Sequence, residues 1–201
     1  MPRVSVLLLC LLPLAACRDL PPNIESRGTT IVCLGDSITA GVGAGDAPTY
    51  PDLLAERLDA DVVNAGFPGA TAADLLAHLP ETFAHDPWLV IVEAGGNDML
   101  RRVPVEQTEA AVRGLVQGVL AAGAVPMLVE IGAPFGGLGD LFVRVGEEYD
   151  VPVVEDVLPE ILLDRNLKSD EIHPNAAGYE RLAAAVAEEV EPLLAARAER
   201  R

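Results

Sequence analysis

The chain has 201 residues, half of them hydrophobic, and a formal net charge of −17. That length suits one domain with a full core. The acidic balance argues against a nucleic-acid binder, because a phosphate backbone is held by clustered Lys and Arg, and it disfavours polyanionic substrates. Aromatics are scarce and Val, Leu and Ala abundant, which fits a helix-and-sheet interior.

The N-terminus, MPRVSVLLLCLLPLAAC, has Arg3, an apolar run from Val4 to Leu14 and then small residues. The run is too short to span a bilayer as a helix and has the layout of a secretory signal. Leu14-Ala15-Ala16-Cys17 resembles the bacterial lipobox. That resemblance implies cleavage before Cys17 and lipids on that cysteine, each buried CH₂ contributing about 0.8 kcal/mol. The alternative is an ordinary signal peptide with a chance Cys. Arg18, in place of an Asp, favours the outer membrane of a cell envelope over inner-membrane retention. Residues 1–16 are thus expected to be a signal peptide and residues 17–28 the lipidated Cys17 and a polar, proline-containing tether. Residues 29–201 are expected to be a single domain, and the protein a monomer. Cys10 leaves with the signal, and Cys33 reads as a small buried hydrophobe.

From Thr29 strand and helix alternate. TTIVCL (29–34) is a strand and YPDLLAERL (50–58) a helix with Leu53, Leu54 and Leu58 on one face. DVVNAG (61–66) is a strand and TAADLLAHL (71–79) a helix. WLVIVEAG (88–95) is apolar on both faces, as a central parallel strand should be. Residues 104–123 form the longest helix, with Pro104 in its first turn and Gly123 at its end. Its stripe is Val112, Leu115, Val116, Val119 and Leu120. VPMLVEIG (125–132) is a strand, GDLFVRVGEEYD (139–150) a helix and VPVVED (151–156) a short strand. A last helix opens at Pro174-Asn175 and runs to Ala196. The pattern predicts a three-layer, doubly wound, flavodoxin-like α/β sandwich with a mostly parallel sheet of about five strands.

In such sheets ligands bind beyond the carboxyl ends of the strands. The segments there are Gly35-Asp36-Ser37, residues 64–71, Gly95-Gly96-Asn97-Asp98, residues 132–137 and, past the last short strand, residues 169–175. Polar residues and glycines concentrate in these loops, so one edge of the sheet carries the chemistry.

The glycines after Ser37 do not form a phosphate cradle. No G-x-x-x-x-G-K-[ST] is present, and Gly41, Gly43 and Gly45 give G-x-G-x-G where a dinucleotide site needs G-x-G-x-x-G. Ser37 as a nucleophile needs a base, a group that orients the base, and oxyanion donors. Of the three histidines, His78 ends an amphipathic helix and His85 lies in a loop, and both read as solvated surface residues. His173 has Asp170 three positions before it. In a turn-like backbone those two share a face, so the carboxylate can reach one imidazole nitrogen while the other points at Ser37. Taken alone, the pair also fits a helix N-cap cluster.

The order Ser, Asp, His occurs in α/β-hydrolases, but no G-x-S-x-G elbow is present and the serine follows the first strand. The combination resembles the SGNH (GDSL-type) hydrolase family. Four blocks match in order: Gly35-Asp36-Ser37-Ile38-Thr39; Asn64-Ala65-Gly66-Phe67-Pro68-Gly69-Ala70-Thr71; Gly95-Gly96-Asn97-Asp98; and Asp170-Glu171-Ile172-His173-Pro174-Asn175. The VE-x-GGND and IHPN wording is that of the bacterial arylesterase / thioesterase I / lysophospholipase L1 branch.

The resemblance implies Ser37 as nucleophile, His173 as base and Asp170 as its orienting acid. It implies oxyanion donors from the Ser37 N–H, the Gly69 N–H and the Asn97 amide, with Gly66 the rival for the Gly69 role. No cofactor and no metal are implied. The substrate would be a small acyl ester: an aryl ester, lysophospholipid or thioester. Alternatives are a carbohydrate O-acetyl esterase or acyltransferase of the same fold, or a non-catalytic envelope binding protein. The chain departs from the family pattern at Pro68, where Ser is usual, and at Ala70, where Asp is usual. Asp36 and Asp98 read as structural. Met99, Leu100, Pro134 and Phe135 lie where an acyl chain could rest, and the glycine-rich 132–139 loop reads as a lid.

Overall fold

The computed structural model describes residues 20–132, 138 and 140–200. Cys10, Cys17 and the predicted signal therefore lie outside the described residues, as do Pro134, Phe135 and most of the expected lid.

Five strands form one sheet: β1 (Thr30–Gly35), β2 (Val62–Gly66), β3 (Pro87–Glu93), β4 (Val125–Val129) and β5 (Val153–Val154). All pair in parallel, in the order β2-β1-β3-β4-β5. This is the flavodoxin-like order, whose switch point falls between β1 and β3. Burial follows position in the sheet. β1 and β3 are buried at every residue, whereas the edge strand β2 is half-buried or exposed throughout. The helices form two groups. On one side α8 (Ala176–Arg200) packs on α2 (Tyr50–Leu58) and α7 (Val157–Leu163). On the other, α5 (Val105–Ala121) packs on α3 (Ala72–Phe83) and α6 (Leu141–Tyr149). No helix among the described residues is long and apolar enough to cross a membrane.

Three short helices carry no sequence signal: α1 (Ser37–Ala40), α4 (Gly96–Arg101) and α7. None is long enough to display a helical period. Helix α3 runs past the predicted end at Leu79, through Pro80 to Phe83. Pro80 removes one backbone donor, but it faces solvent and the Thr82 hydroxyl donates to the His78 carbonyl at 3.2 Å. In α5, Val112, Leu115, Val116 and Val119 are fully buried, while Leu120 is half-buried.

The expected tether behaves differently from Pro21 onward. Asn23 donates to the carbonyls of Leu120 and Ala124 at 2.9 and 3.0 Å, and Ile24 is buried. Arg197, near the end of α8, donates to the carbonyls of Ile24, Ser26 and Gly28 and lies 4.4 Å over the Trp88 ring. This segment is therefore stitched beneath the amino ends of β3 and β4, at the opposite end of the sheet from the carboxyl-edge loops. A polar, proline-rich composition could not reveal that, because the partners are backbone carbonyls and one arginine distant in sequence.

Candidate active site

Ser37 follows directly from the way β1 ends. Asp36 caps α1, its Oδ1 accepting the Ile38 N–H at 2.9 Å. That places Ser37 at the first helical position, half-buried, at the switch point. Gly35 must lack a side chain for a steric reason. A Cβ there would overlap the Thr39 hydroxyl and lie 2.7 Å from Glu93 Oε2.

The fourth block forms a second rigid turn. Asp170 Oδ1 accepts the N–H groups of Ile172 and His173 at 2.8 and 2.9 Å, and its Oδ2 holds His173 Nδ1 at 2.8 Å. An isolated antiparallel bridge between Lys168 and Pro174 closes the turn from outside. Asn175 then caps α8 through Gly178 N–H at 3.1 Å. So the N-cap function falls to Asn175 and leaves Asp170 free for the imidazole. Desolvation pushes the Asp170 carboxyl up, but the Ile172 N–H, the imidazole and the His173 N–H outweigh it and hold the group below its usual range. With Nδ1 donating to Asp170, Nε2 carries the lone pair. It lies 3.0 Å from Ser37 Oγ. Ser37, His173 and Asp170 thus form one continuous chain of side chains.

Asn97 is the second residue of α4, whose N-cap Gly95 adopts φ +105°. Its Nδ2 donates to Asp36 Oδ2 at 2.9 Å, so Asp36 grips the second helix at the site as well as capping the first. Gly69 lies in the loop after β2. Phe67, Pro68, Gly69 and Ala70 form a turn closed by the Ala70 N–H to the Phe67 carbonyl at 3.0 Å. Proline second and a glycine at φ +84° third make this a type II turn, which accounts for Pro68. The Phe67 N–H is tied to the Gly35 carbonyl at 2.8 Å. Phe67 also stacks on His78, ring centroids 3.8 Å apart. His78 is therefore a half-buried brace for this turn. Ala70 carries no polar group, and Arg101 of α4 supplies a bond to this loop, Nη2 to the Gly69 carbonyl at 2.6 Å. Asp98, buried, accepts the Ala72 N–H at 2.9 Å and the Thr108 hydroxyl at 3.0 Å, so it is structural.

Ser37, Asn97, Asp36 and His173 face a cavity of about 270 Å³. Its remaining wall is apolar: Ile38, Met99, Leu100, Ile131, Leu162 and Ile172, with Gly96 between. Met99 and Leu100 were expected there. Ile131, Leu162 and Ile172 were not, because they come from three unrelated segments. Gly69 is not among the lining residues. Among the described residues no group of three or more His, Cys, Asp or Glu has metal-holding geometry. Cys33 lies fully buried in β1, and burial pushes its thiol up to about 12.

Sequence reasoning missed Glu93. It ends β3 fully buried, its Oε2 accepting the Asp36 N–H at 3.1 Å and the Thr39 hydroxyl at 3.2 Å. Burial, then the charge of Asp36, push its carboxyl well above the usual range. A lone acid in an otherwise apolar strand was the available signal.

Comparison with known proteins shows what the chain is similar to. Residues 33–181 match the GDSL-like Lipase/Acylhydrolase family. The chain is 34% identical over 176 residues to "Thioesterase 1/protease 1/lysophospholipase L1" of Escherichia coli K12, covering 82% of this chain and 85% of that protein. It is 31% identical over 185 residues to "Esterase TesA" of Pseudomonas aeruginosa, covering 85% and 92%. A crystal structure of TesA superposes with a TM-score of 0.74 at 32% identity, covering 82% of this chain and 99% of that one. The psychrotrophic esterase EstA from Pseudoalteromonas sp., inhibited by monoethylphosphonate, gives 0.73 at 26% identity, covering 83% and 98%. On sequence and fold alike, the chain belongs to the GDSL-like lipase/acylhydrolase family.

Proposed function

We propose that this protein is a serine esterase that hydrolyses acyl esters through an acyl-enzyme on Ser37. The observation that carries the reading is the unbroken run Ser37 Oγ, His173 Nε2, His173 Nδ1, Asp170 Oδ2, with contacts of 3.0 and 2.8 Å. In the first half-reaction Ser37 Oγ attacks the ester carbonyl carbon and its proton passes to His173 Nε2. Asp170 stabilises the imidazolium and keeps the tautomer. The oxyanion is held by the Ser37 N–H and the Asn97 amide, both at the cavity, and the family resemblance supports the Gly69 N–H as the third donor. One hydrogen of that amide is committed to Asp36, and the other is free for the substrate. Collapse breaks the ester bond, and His173 returns the proton to the departing alcohol or thiol. Water then attacks the acyl-enzyme by the same route, releasing the acid and restoring Ser37.

The six apolar residues around the cavity support an acyl chain as the group seated there. The names of the relatives, thioesterase, lysophospholipase and esterase, support esters, lysophospholipids or thioesters as the class. The test uses a fluorophosphonate probe and p-nitrophenyl esters of graded acyl length. Wild-type protein labels at Ser37 and turns the esters over. Ser37→Ala keeps the circular dichroism of the wild type and loses both. Turnover retained by that variant overturns the reading.

We also propose that Cys17 is lipidated and anchors the protein to the outer membrane. The sequence Leu14-Ala15-Ala16-Cys17 supports this. Segment 21–28 docks at the end of the sheet remote from Ser37, so an anchor there would leave the cavity facing away from its membrane.

A further inference from the structure

Beneath the nucleophile lies a buried acid that the triad does not use. Glu93 Oε1 is the one buried side-chain polar atom among the described residues with no hydrogen-bond partner. A charged carboxylate in that position is expensive. The other oxygen, Oε2, accepts the Asp36 N–H and the Thr39 hydroxyl. These two residues flank Ser37-Ile38, so a single oxygen clamps both ends of the turn that presents the nucleophile. Gly35 leaves room for this clamp, since a Cβ there would press on Thr39 and Glu93.

We infer that Glu93 is a positioning residue: it holds the Asp36–Thr39 turn from below and, through Asp36, seats the Asn97 amide. The inference rests on the serine esterase reading above. Glu93 works as a neutral acid. Glu93 is fully buried beside the Asp36 carboxylate, and burial and then that charge push its carboxyl well above the usual range, so the two do not both ionise. Burial pushes the Asp36 carboxyl up as well, but the Ile38 N–H and the Asn97 amide bond to it and oppose that shift, so of the two Asp36 keeps the charge. Glu93 therefore keeps the proton. The other groups around Glu93 do not displace that proton. They are the Thr39 and Tyr50 hydroxyls, the buried Cys33 thiol beside Tyr50, Tyr179 of α8, and His173 beyond Asp36. The consequence is electrostatic as well as steric. One negative charge, not two, faces the place where the reaction generates another.

Glu93→Gln is the informative variant. Its amide oxygen can accept the same two bonds, and the group is neutral at every pH, mimicking the neutral acid alone. It should label with fluorophosphonate and turn over p-nitrophenyl butyrate within about threefold of wild type. Glu93→Ala, or Glu93→Met where the cavity prevents folding, should lower kcat and labelling rate about 10- to 100-fold, as loss of an outer-shell partner does. KM should stay within about twofold. All variants are compared below their melting temperatures. Full activity in a folded Ala or Met variant overturns the inference, and so does a Gln variant as impaired as the Ala one. Wild-type protein that takes no probe instead overturns the serine reading itself, so the two failures are distinguishable.

Discussion

Asn97→Ala separates the two jobs that the structure gives one amide. In the proposed mechanism the free amide hydrogen meets the oxyanion, which exists only in the transition state and intermediates. Losing such a donor typically costs about 10²–10³ in kcat, or roughly 2.7–4 kcal/mol. Ground-state substrate makes little use of it, so KM should barely move. The other hydrogen bonds Asp36 Oδ2 at 2.9 Å, and Asp36 is 2% exposed. Leaving that buried acceptor short of a partner costs about 1–3 kcal/mol. For a chain of this size that is a fall in Tm of roughly 2–12 °C, at about 2–4 °C per kcal/mol. Initial rates on p-nitrophenyl butyrate, measured well below the melting temperature, read the first effect, and thermal circular dichroism reads the second. A folded variant with kcat within about fivefold of wild type would refute the oxyanion assignment. So would a variant whose defect lies wholly in KM, because that is the signature of uniform binding.

Arg101→Met removes the bond to the Gly69 carbonyl. Arg101 is 56% exposed, so the bond is solvent-screened, and kcat should fall only about two- to fivefold, matching roughly 0.4–1 kcal/mol. An unchanged kcat would show that the type II turn holds itself. Glu93→Gln also has a pH signature. Unfolded Glu titrates near pH 4.3, roughly, while folded Glu93 is held well above its usual range. The folded state therefore binds the extra proton, and wild-type stability falls as pH rises through and beyond the unfolded value. Urea midpoints of the two proteins should agree near about pH 4 and diverge in favour of Glu93→Gln by about pH 8. A gap that does not change with pH contradicts a neutral Glu93. Cys17→Ser should move the protein from the detergent phase into the aqueous phase, and equal partitioning of both forms would exclude lipid on that residue.

The fold class was legible because each main element carries its own pattern. β1 and β3 are apolar runs, α5 has a helical stripe, and the alternation of strand and helix admits few topologies. That Ser37, His173 and Asp170 come together was legible for a related reason. In a doubly wound sheet, whatever follows a strand's carboxyl end arrives at one edge, which gathered the loops of Ser37, Asn97 and His173, and the resemblance to the SGNH family implied their pairing. The Asp170–His173 turn is local, and three-residue spacing suffices to describe it.

What only tertiary structure decided involves partners far apart in the chain. Glu93 lies 57 positions from Asp36, and nothing near it in sequence shows that its oxygen closes the turn that presents Ser37. Arg101 reaches Gly69 across 32 positions, and Arg197 reaches Gly28 across 169. The short helices α1 and α4 arise from caps and from space left by glycine, not from periodicity. The apolar cavity wall is assembled from Ile38, Ile131, Leu162 and Ile172, which come from separate segments. Hydrophobic burial is non-directional, so sequence pattern shows which residues leave water. Which of them meet, and around what space, is set by packing alone.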